Sequence, residues 1–339
     1  MSAPSNPNMS DKGEKIETIE DAGSPALSQT RGQRFKRHCG RRWWIYLIAF
    51  IVIVLAVVLG IIFGAIPKIA QDSVNDSTLQ VDAIALTNPS NEKFTLSMNS
   101  TAHSHSPVSA HFSPQTFEMY LPPADGQQIV PFMTLNIGEL KIQDTMTINV
   151  SNVETNILDQ TAYNAFSKQV LNSEMLELAI RSNPQVNIGS IKFHVDYQKT
   201  VQLKGLNGLK GILLTNPQVL NETLEDGTNM LTDGMIPNPS SFTLQVGDLT
   251  VDMAVGTIPL GWSVVKNLTL YPGDNHVKIY NHIDENLIST PLFAASLAQP
   301  NTNITLTANS TVFNGEHIEW LEKPLRDAPP VIAILNPPQ

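Results

Sequence analysis

The chain has 339 residues, enough for two ordinary domains or one large one. Charged residues make up only 15% of it and the net charge is −10, which excludes a coiled coil, a highly charged disordered protein and a basic face for nucleic acid. The single cysteine, Cys39, excludes an intramolecular disulfide framework and a cysteine-rich zinc module.

The N-terminal segment is polar. Residues 1–30 are rich in Ser, Pro, Asn, Asp and Glu and have almost no aliphatic periodicity, so they cannot bury enough surface to offset chain entropy. Residues 31–42 contain six basic residues and no acid. We therefore predict that residues 1–42 are a disordered tail with a basic juxtamembrane segment. Cys39 is a candidate for palmitoylation, and an unmodified tail thiol is the alternative.

An apolar run of 24 uncharged residues, WWIYLIAFIVIVLAVVLGIIFGAI, extends from Trp43 to Ile66. About 20 such residues cross a bilayer as a helix, so we predict a transmembrane helix over residues 43–67. Lys68 is the only basic residue between the run and Lys93, so the positive-inside rule places the N-terminus in the cytoplasm and makes the protein a type II signal-anchor protein. A cleaved signal peptide is the alternative, but its apolar core is normally about 7–15 residues long.

Beyond the run, short segments alternate between apolar and polar residues and are bounded by Pro, Gly and Asn. Leu79, Val81 and Ala83 begin this pattern, which is typical of strands in an antiparallel sandwich or an open barrel. The predicted fold class is all-β with minor helix: tandem antiparallel β-sandwich units after one transmembrane helix. We predict a first β domain over residues 75–204, a second over 205–325 and a C-terminal extension over 326–339.

Two segments have helical spacing instead. The first, from Asp159 to Leu171, has Asp159 as its N-cap and an apolar face made by Tyr163, Phe166, Val170 and Leu171. The second, from Ile288 to Leu297, would be capped by Ser289 or Thr290, with Pro291 just inside.

A weak internal repeat accompanies the two predicted domains. Asn88-Pro89 is followed by Phe94-Thr95-Leu96, and Asn238-Pro239 is followed by Phe242-Thr243-Leu244. Because proline removes a ladder donor and keeps the preceding residue out of the helical region, the strand must bend at each Asn-Pro. A third pair, Asn216-Pro217, is interpreted as the linker side of the second unit, with the boundary near Gly205–Gly211.

The segments IPNPSSFTLQVGDLTVDMAVG and VVKNLTLYPGDNHVKIY resemble a late-embryogenesis-abundant type 2 domain. The layout is similar to that of fungal single-pass membrane proteins with paired domains of unknown function, with QLKGLNGLKG (Gln202 to Gly211) as the joint. The resemblance covers about residues 77–315. It implies a fold and a topology but no reaction, and it leaves the compartment open.

No G-x-S-x-G, H-E-x-x-H, P-loop or dinucleotide fingerprint occurs in the sequence. His103, His105, His111 and Glu118 could form a metal site on one hairpin, but a solvated polar loop is the better explanation of them. Scattered carboxylates are interpreted as turn or outer-face residues: Asp226, Asp233, Asp248, Asp252 and Asp274. We therefore expect no enzymatic activity, no cofactor and no metal site.

Seven N-x-S/T sequons follow the apolar run, and their asparagines are the predicted glycosylation sites: Asn75, Asn99, Asn149, Asn221, Asn267, Asn303 and Asn309. The alternative is that the Asn-, Ser- and Thr-rich composition alone produced these sequons. Asn8 also lies in a sequon but is expected to be cytosolic and bare.

The expected function is that of a non-enzymatic type II membrane glycoprotein of the vacuolar or plasma membrane. Its tandem β domains would act as a scaffold, receptor or adaptor with protein or lipid partners and no nucleic acid. The alternative is a lipid-handling protein whose cavity is lined by an apolar stripe: Leu244, Val246, Leu249, Val251, Met253 and Val255. Ordinary core packing is the other explanation of that stripe.

Overall fold

The computed structural model describes residues 47–104, 110–291, 293, 295, 299 and 301–336. The chain divides into two units between Gly60 and Ile61, and each is described by itself. The predicted disordered tail, Cys39 and Asn8 lie outside the described residues.

The described helices include one that is long and apolar enough to cross a membrane, judged by length and composition. This helix continues to Asp76, nine residues beyond the predicted span, and residues 43–46 lie outside the described part. The helices and a short 3₁₀ turn are α1 (Leu47–Asp76), α2 (Gln160–Asn172), the turn Asn207–Leu209, α3 (Glu285–Ile288) and α4 (Glu319–Arg326).

A π-helical turn, Ile61–Ala65, interrupts α1 just before Pro67. Proline lacks the N–H that an α-helix needs, and its ring collides with the carbonyl four residues earlier, here that of Phe63. Widening the preceding turn is a known way to fit such a residue without breaking the helix.

Strands dominate the rest of the described chain, as predicted. They are β1 (Thr78–Thr87), β2 (Lys93–His103), β3 (His111–Phe112), β4 (Gln115–Tyr120), β5 (Met133–Ile137), β6 (Leu140–Lys141), β7 (Thr145–Asn156), β8 (Met175–Ser182), β9 (Gln185–Ile188), β10 (Ile191–His194), β11 (Tyr197–Lys204), β12 (Leu213–Val219), β13 (Met230–Asn238), β14 (Phe242–Val255), β15 (Ile258–Leu270), β16 (Gly273–Ile283), β17 (Thr302–Phe313), β18 (Glu316–His317) and β19 (Val331–Leu335).

Seven of these strands form a closed barrel. The order β17-β19-β12-β13-β16-β15-β14 closes because β14 also pairs with β17. The fold-class prediction of tandem sandwiches is therefore wrong for this part of the chain. Alternation with period 2 was read correctly as strand, but it does not reveal which strands pair, so it fits a sandwich and a barrel equally.

The sheet continues beyond the barrel through strand β14, which pairs with a different strand in each of its halves. Its first residues pair with β1 in parallel, Ile84 opposite Phe242, whereas Asp248 onward pairs with β17. The change of partner occurs at Gly247, where φ is +81° and a Cβ would lie 2.3 Å from the carbonyl oxygen of Val312. Only glycine fits both that backbone conformation and that close approach.

The remaining strands lie before the barrel in sequence. β1, β2 and β7 extend the barrel sheet, and two four-stranded sheets have the orders β11-β8-β4-β5 and β10-β9-β3-β6. The predicted boundary at residue 204/205 coincides with the end of β11, yet one hydrophobic cluster contains residues from both sides of it. Residues 326–339 were predicted as an extension, but they contribute β19 to the barrel.

The three Asn-Pro pairs of the predicted repeat lie in different surroundings. Asn88 and Asn216 both adopt left-handed backbone conformations, with φ of 49° and 51°, but Asn88 directly follows β1, whereas Asn216 lies within β12 at a register shift against β13. Strands β13 and β14, on either side of Asn238-Pro239, do not pair with each other. Asn238 is buried and instead hydrogen-bonds within its own turn, its Nδ2 donating to the carbonyl oxygen of Phe242 at 2.7 Å.

The predicted α2 is confirmed to within one residue at each end. Asp159 is the N-cap and its Oδ1 accepts from the backbone N–H of Ala162 at 2.7 Å. The four predicted apolar residues are the buried ones. The second predicted helix, over residues 288–297, falls partly outside the described residues. Within them, residues 291, 293 and 295 are helical, and the backbone N–H of Phe293 donates to Thr290 Oγ1 at 3.3 Å, so Thr290 caps this segment as predicted. The short helix α3, capped by Asp284, precedes it as a separate element.

An aromatic cluster joins α2 to the barrel end. Tyr163 of α2 packs edge-on against Trp320 of α4 at 5.2 Å between ring centroids and stacks on Phe94 at 5.5 Å. Its side chain is fully buried, its hydroxyl has no hydrogen-bond partner, and burial raises the pKa of that hydroxyl. An unpaired buried hydroxyl retains its full desolvation penalty.

Replacing Tyr163 with phenylalanine should therefore stabilise the protein by about 1 kcal/mol, because the rings keep their contacts and the unpaired hydroxyl is removed. Tyr120→Phe is the matched control, since Tyr120 is equally buried but its hydroxyl accepts from Gln198 Nε2 at 3.0 Å. That variant should lose about 1 kcal/mol. Urea unfolding of the detergent-solubilised protein measures both changes, and equal losses from the two variants would contradict the argument.

Candidate ligand cavities and the helix attachment

An apolar cavity of about 90 Å³ lies where the end of α1 meets the strands before the barrel. Ile66, the last residue of the uncharged run, is part of its wall. The other lining residues are Ile69, Ala70, Ser73, Val74, Ser77, Ala102, Ser104, Ala110, Phe112, Phe117, Leu140, Ile142, Met146, Ile148, Val186, Ile188 and Tyr197. We call this space the junction cavity.

The helical repeat explains how α1 supplies one wall of the junction cavity. Ile66, Ala70 and Val74 recur every four residues, so they lie on one face of the helix. Val74 is buried in a small cluster with Phe112 and Val186, separate from the main core. The apolar side chains of this cluster hold the final turns of α1 against β3 and β9.

Polar atoms are few around the junction cavity. The lining includes three serines, and Ser77 Oγ donates to the carbonyl oxygen of Val74 at 2.7 Å. Tyr197 packs edge-on against Phe117 at 5.5 Å, and burial raises its pKa to about 12, so the hydroxyl stays neutral. Apolar cavities of this kind hold no stable water, because water needs two to four polar partners.

Two side chains, Gln71 and Lys199, fasten α1 to the loop and strand that follow β10. Gln71 makes a reciprocal pair with the backbone of Asp196: Nε2 donates to its carbonyl oxygen and Oε1 accepts from its N–H, each at 2.8 Å. Lys199 Nζ donates to the carbonyl oxygens of Asn75 at 2.7 Å and Ser77 at 2.6 Å. We call these contacts of Gln71 and Lys199 the helix latch.

Lys199 acts as a cap on the C-terminal end of α1. A cation there satisfies free carbonyls and interacts favourably with the helix dipole. Partial burial lowers the pKa of Lys199, while the charge of Asp76 opposes that shift. Sequence reasoning missed the helix latch, because its donors and acceptors are more than 120 residues apart and most are backbone atoms.

The predicted apolar stripe of β14 faces mostly into the barrel. Leu244, Val246 and Leu249 line a cavity of about 50 Å³, and Leu249 also lines a neighbouring one of about 80 Å³ with Val251 and Met253. Val255 is partly buried against the core. Sites for whole small molecules usually enclose about 300–1,000 Å³, so neither of these two spaces can enclose one in this conformation.

The candidate metal ligands are not brought together. His103 Nδ1 lies 3.0 Å from Thr145 Oγ1, His111 pairs with Glu139, and Glu118 pairs with Arg181 on a different sheet. His105 lies outside the described residues. Within the part that the structure describes, no three metal-ligating side chains cluster.

The scattered carboxylates are bound to separate partners. Asp226 accepts from Lys266 Nζ at 2.8 Å, and this hydrogen bond lowers its pKa; Asp233 accepts from Lys278. The other three do not join them: Asp248 accepts from the N–H of Asn267, Asp252 accepts from Asn309, and Asp274 is exposed on β16.

All seven predicted glycosylation asparagines are exposed: Asn75, Asn99, Asn149, Asn221, Asn267, Asn303 and Asn309. They lie on one helix, on strands and in one loop, and they do not converge on a single site. Asn99 of β2 and Asn149 of β7 are directly opposite each other in the antiparallel ladder. Asn267 has a φ of 52° at a bulge of β15.

Comparison with known proteins identifies a domain without an assigned activity. Residues 130–253 match a family model described as a protein of unknown function, DUF3712. This match runs from β5 into β14 and therefore includes strands on both sides of the predicted joint. No curated protein matches the chain.

Similarity to solved structures is distant. A protein from Archaeoglobus fulgidus is 8% identical with a TM-score of 0.22, over 38% of this chain and 94% of that one. Red sea bream transglutaminase is 11% identical with a TM-score of 0.25, over 76% of this chain but only 31% of the enzyme. A fimbrial chaperone–tip adhesin complex is 9% identical with a TM-score of 0.20, over 77% and 98%. Scores this low support no functional argument.

Proposed function

We propose that the protein is a non-enzymatic, single-pass membrane glycoprotein that acts as a scaffold, receptor or adaptor. In this proposal α1 spans the membrane, the N-terminal tail lies in the cytoplasm, and the strands and barrel, together called the β body, lie in the vacuole lumen or outside the cell. The observation that carries the proposal is the helix latch, which fixes the end of α1 to the β body at both Asp196 and Lys199.

The physical reason is mechanical coupling. A domain on a flexible linker moves independently of its anchor, whereas hydrogen bonds and an apolar cluster on two sides of a helix restrict that motion. A β body fixed in this way can hold a bound partner at a set place near the bilayer. It can also pass a change of position to the helix, as a receptor or adaptor must.

Removing the helix latch should loosen this attachment. In the variant Gln71→Ala/Lys199→Met, the distance distribution between spin labels at positions 68 and 177 should become at least twice as broad. Both positions are exposed, and a Cys39→Ser background leaves no other thiol for labelling. Pulsed electron paramagnetic resonance in lipid nanodiscs measures the distribution.

Gln80→Ala is the matched control, because among the described residues the side chain of Gln80 hydrogen-bonds to Asp82 on the same strand and not to α1. It should leave the distribution narrow. A double variant that is as narrow as the wild type would show that the helix latch does not hold the helix.

Proximity labelling tests the scaffold or adaptor role in cells. A labelling enzyme fused to the N-terminus should modify cytosolic proteins, and one fused to the C-terminus should modify lumenal or extracellular proteins. Reproducible partners should appear on the β-body side. Labelling of one compartment by both fusions would contradict the proposal. The location of a tagged protein separates the vacuolar membrane from the plasma membrane.

Lipid handling is a second candidate function. The observation that favours it is the junction cavity, which is apolar and includes Ile66 at the end of the uncharged run. The two cavities beside the apolar stripe of β14 do not favour it, because no residue of α1 lines either of them.

A further inference from the structure

We propose that the junction cavity takes up the end of an acyl chain from a phospholipid of the adjoining leaflet. The inference rests on the membrane anchoring proposed above and adds a ligand class and a binding site to it. It concerns a different site from the barrel interior.

The location is the first argument. Ile66 closes the uncharged run of 24 residues and also lines the cavity, and the next lining residues, Ile69 and Ala70, follow within one helical turn. When the uncharged run spans the hydrocarbon core, the cavity therefore lies at the border of that core. Ile69 remains half exposed at this place, which leaves an apolar side chain at the approach to the cavity.

The chemistry of the wall is the second argument. Apart from three serines, Tyr197 and the thioether of Met146, the lining is hydrocarbon or aromatic ring, and no charged side chain is part of it. A lipid headgroup or a polar metabolite would lose its hydration here and gain few hydrogen bonds. A hydrocarbon chain has no hydration to lose, because it moves from the apolar interior of the bilayer into an apolar cavity.

The size is the third argument. An engineered apolar cavity of about 150 Å³ stays dry and binds benzene. At about 90 Å³ the junction cavity suits a smaller apolar group, such as the last few carbons of a chain, but not a whole lipid. The site would therefore hold a lipid by its tail while the headgroup stays at the bilayer surface.

Photolabelling of the full-length protein in phosphatidylcholine vesicles tests the inference. One probe phospholipid carries a diazirine at the end of its acyl chain, and a second carries it next to the glycerol. The chain-end probe should label peptides that contain Phe112, Leu140 and Val186, and the glycerol probe should leave them unlabelled.

Two substitutions fill the cavity from the helix side, Ala70→Leu and Ser73→Leu, and either should reduce labelling of those peptides at least fivefold. Two independent variants are used so that misfolding of one leaves the test intact, and circular dichroism checks each. Ala65→Leu is the matched control, because Ala65 lies on the same helix but is exposed and does not line the cavity. It should retain wild-type labelling.

Labelling confined to Leu47–Ile66, or cavity labelling that survives both filling substitutions, would overturn the inference while leaving the membrane anchor in place. Labelling of the cavity by a soluble diazirine fatty acid but not by the phospholipid would also overturn it. Failure of the anchoring proposal has a different signature: no label on Leu47–Ile66 and release of the protein by alkaline carbonate.

Discussion

Replacing Gly205 with alanine should destabilise the β body by about 3 kcal/mol, enough to remove much of the stability of an ordinary domain. A Cβ at this position would lie 2.2 Å from the carbonyl oxygen of Ser173 and 2.8 Å from that of Val170. Both are backbone atoms near the C-terminal end of α2, so the clash cannot be relieved by a change of side-chain rotamer.

Backbone hydrogen bonds hold the segment after Gly205 close to the C-terminal end of α2. The backbone N–H of Leu206 donates to the carbonyl oxygen of Val170 at 2.7 Å, and that of Asn207 donates to Ser173 at 3.1 Å. The segment between β11 and β12 therefore caps α2 and satisfies carbonyls that a helix end leaves free. Moving the segment to fit a methyl group would break these hydrogen bonds as well.

Gly208→Ala is the matched control in the same segment. Gly208 has a φ of +65° and open space around its Cα, so alanine there costs only about 1 kcal/mol of backbone strain. Denaturant unfolding of both variants gives the comparison. A Gly205→Ala loss no larger than that of Gly208→Ala would refute the packing argument.

Treatment with an N-glycosidase should lower the apparent mass of the full-length protein on a gel by several kilodaltons. The six basic residues before the apolar run should hold the N-terminus in the cytoplasm, so the seven exposed sequons beyond it face the glycosylating compartment. Asn267→Gln and Asn303→Gln should each remove one step of the shift if the site is occupied. Asn8→Gln should change nothing.

Neutralising Arg37, Arg41 and Arg42 should weaken the orientation and produce a mixed population, in which only part of the protein carries glycans. Protease treatment of sealed vesicles gives an independent measurement of the same orientation. A wild-type protein with no glycosidase shift and a protected N-terminus would show that the predicted topology is reversed. Asn75 is the weakest candidate of the seven, because it lies only nine residues beyond Ile66.

Local features could be predicted from the sequence because their causes are local. The helix α2 depends on one cap, Asp159, and on apolar residues with helical spacing, and both are visible in thirteen residues. The strands follow from alternation, and the long apolar helix follows from composition. Each of these signals is contained within the element that it predicts.

Strand pairing and cavity formation could not be predicted, because both depend on residues that are far apart in the sequence. The barrel closes through β14–β17, and β12 pairs with β19 more than 100 residues later, so no single window of sequence carries the signal. The junction cavity is built from α1 and from segments as distant as Tyr197. The apolar stripe of β14 was correctly identified, but only packing reveals the size of the spaces beside it.

The parallel pairing of β12 with β19 also determines when the barrel can form. Synthesis reaches β12 long before Val331–Leu335, so the edge of β12 stays unpaired while well over a hundred further residues are made. Folding that depends on such separated segments is slow, and open strand edges promote aggregation during that interval. Truncation just before β19 would remove one strand of the barrel and leave the edges of both β12 and β17 exposed.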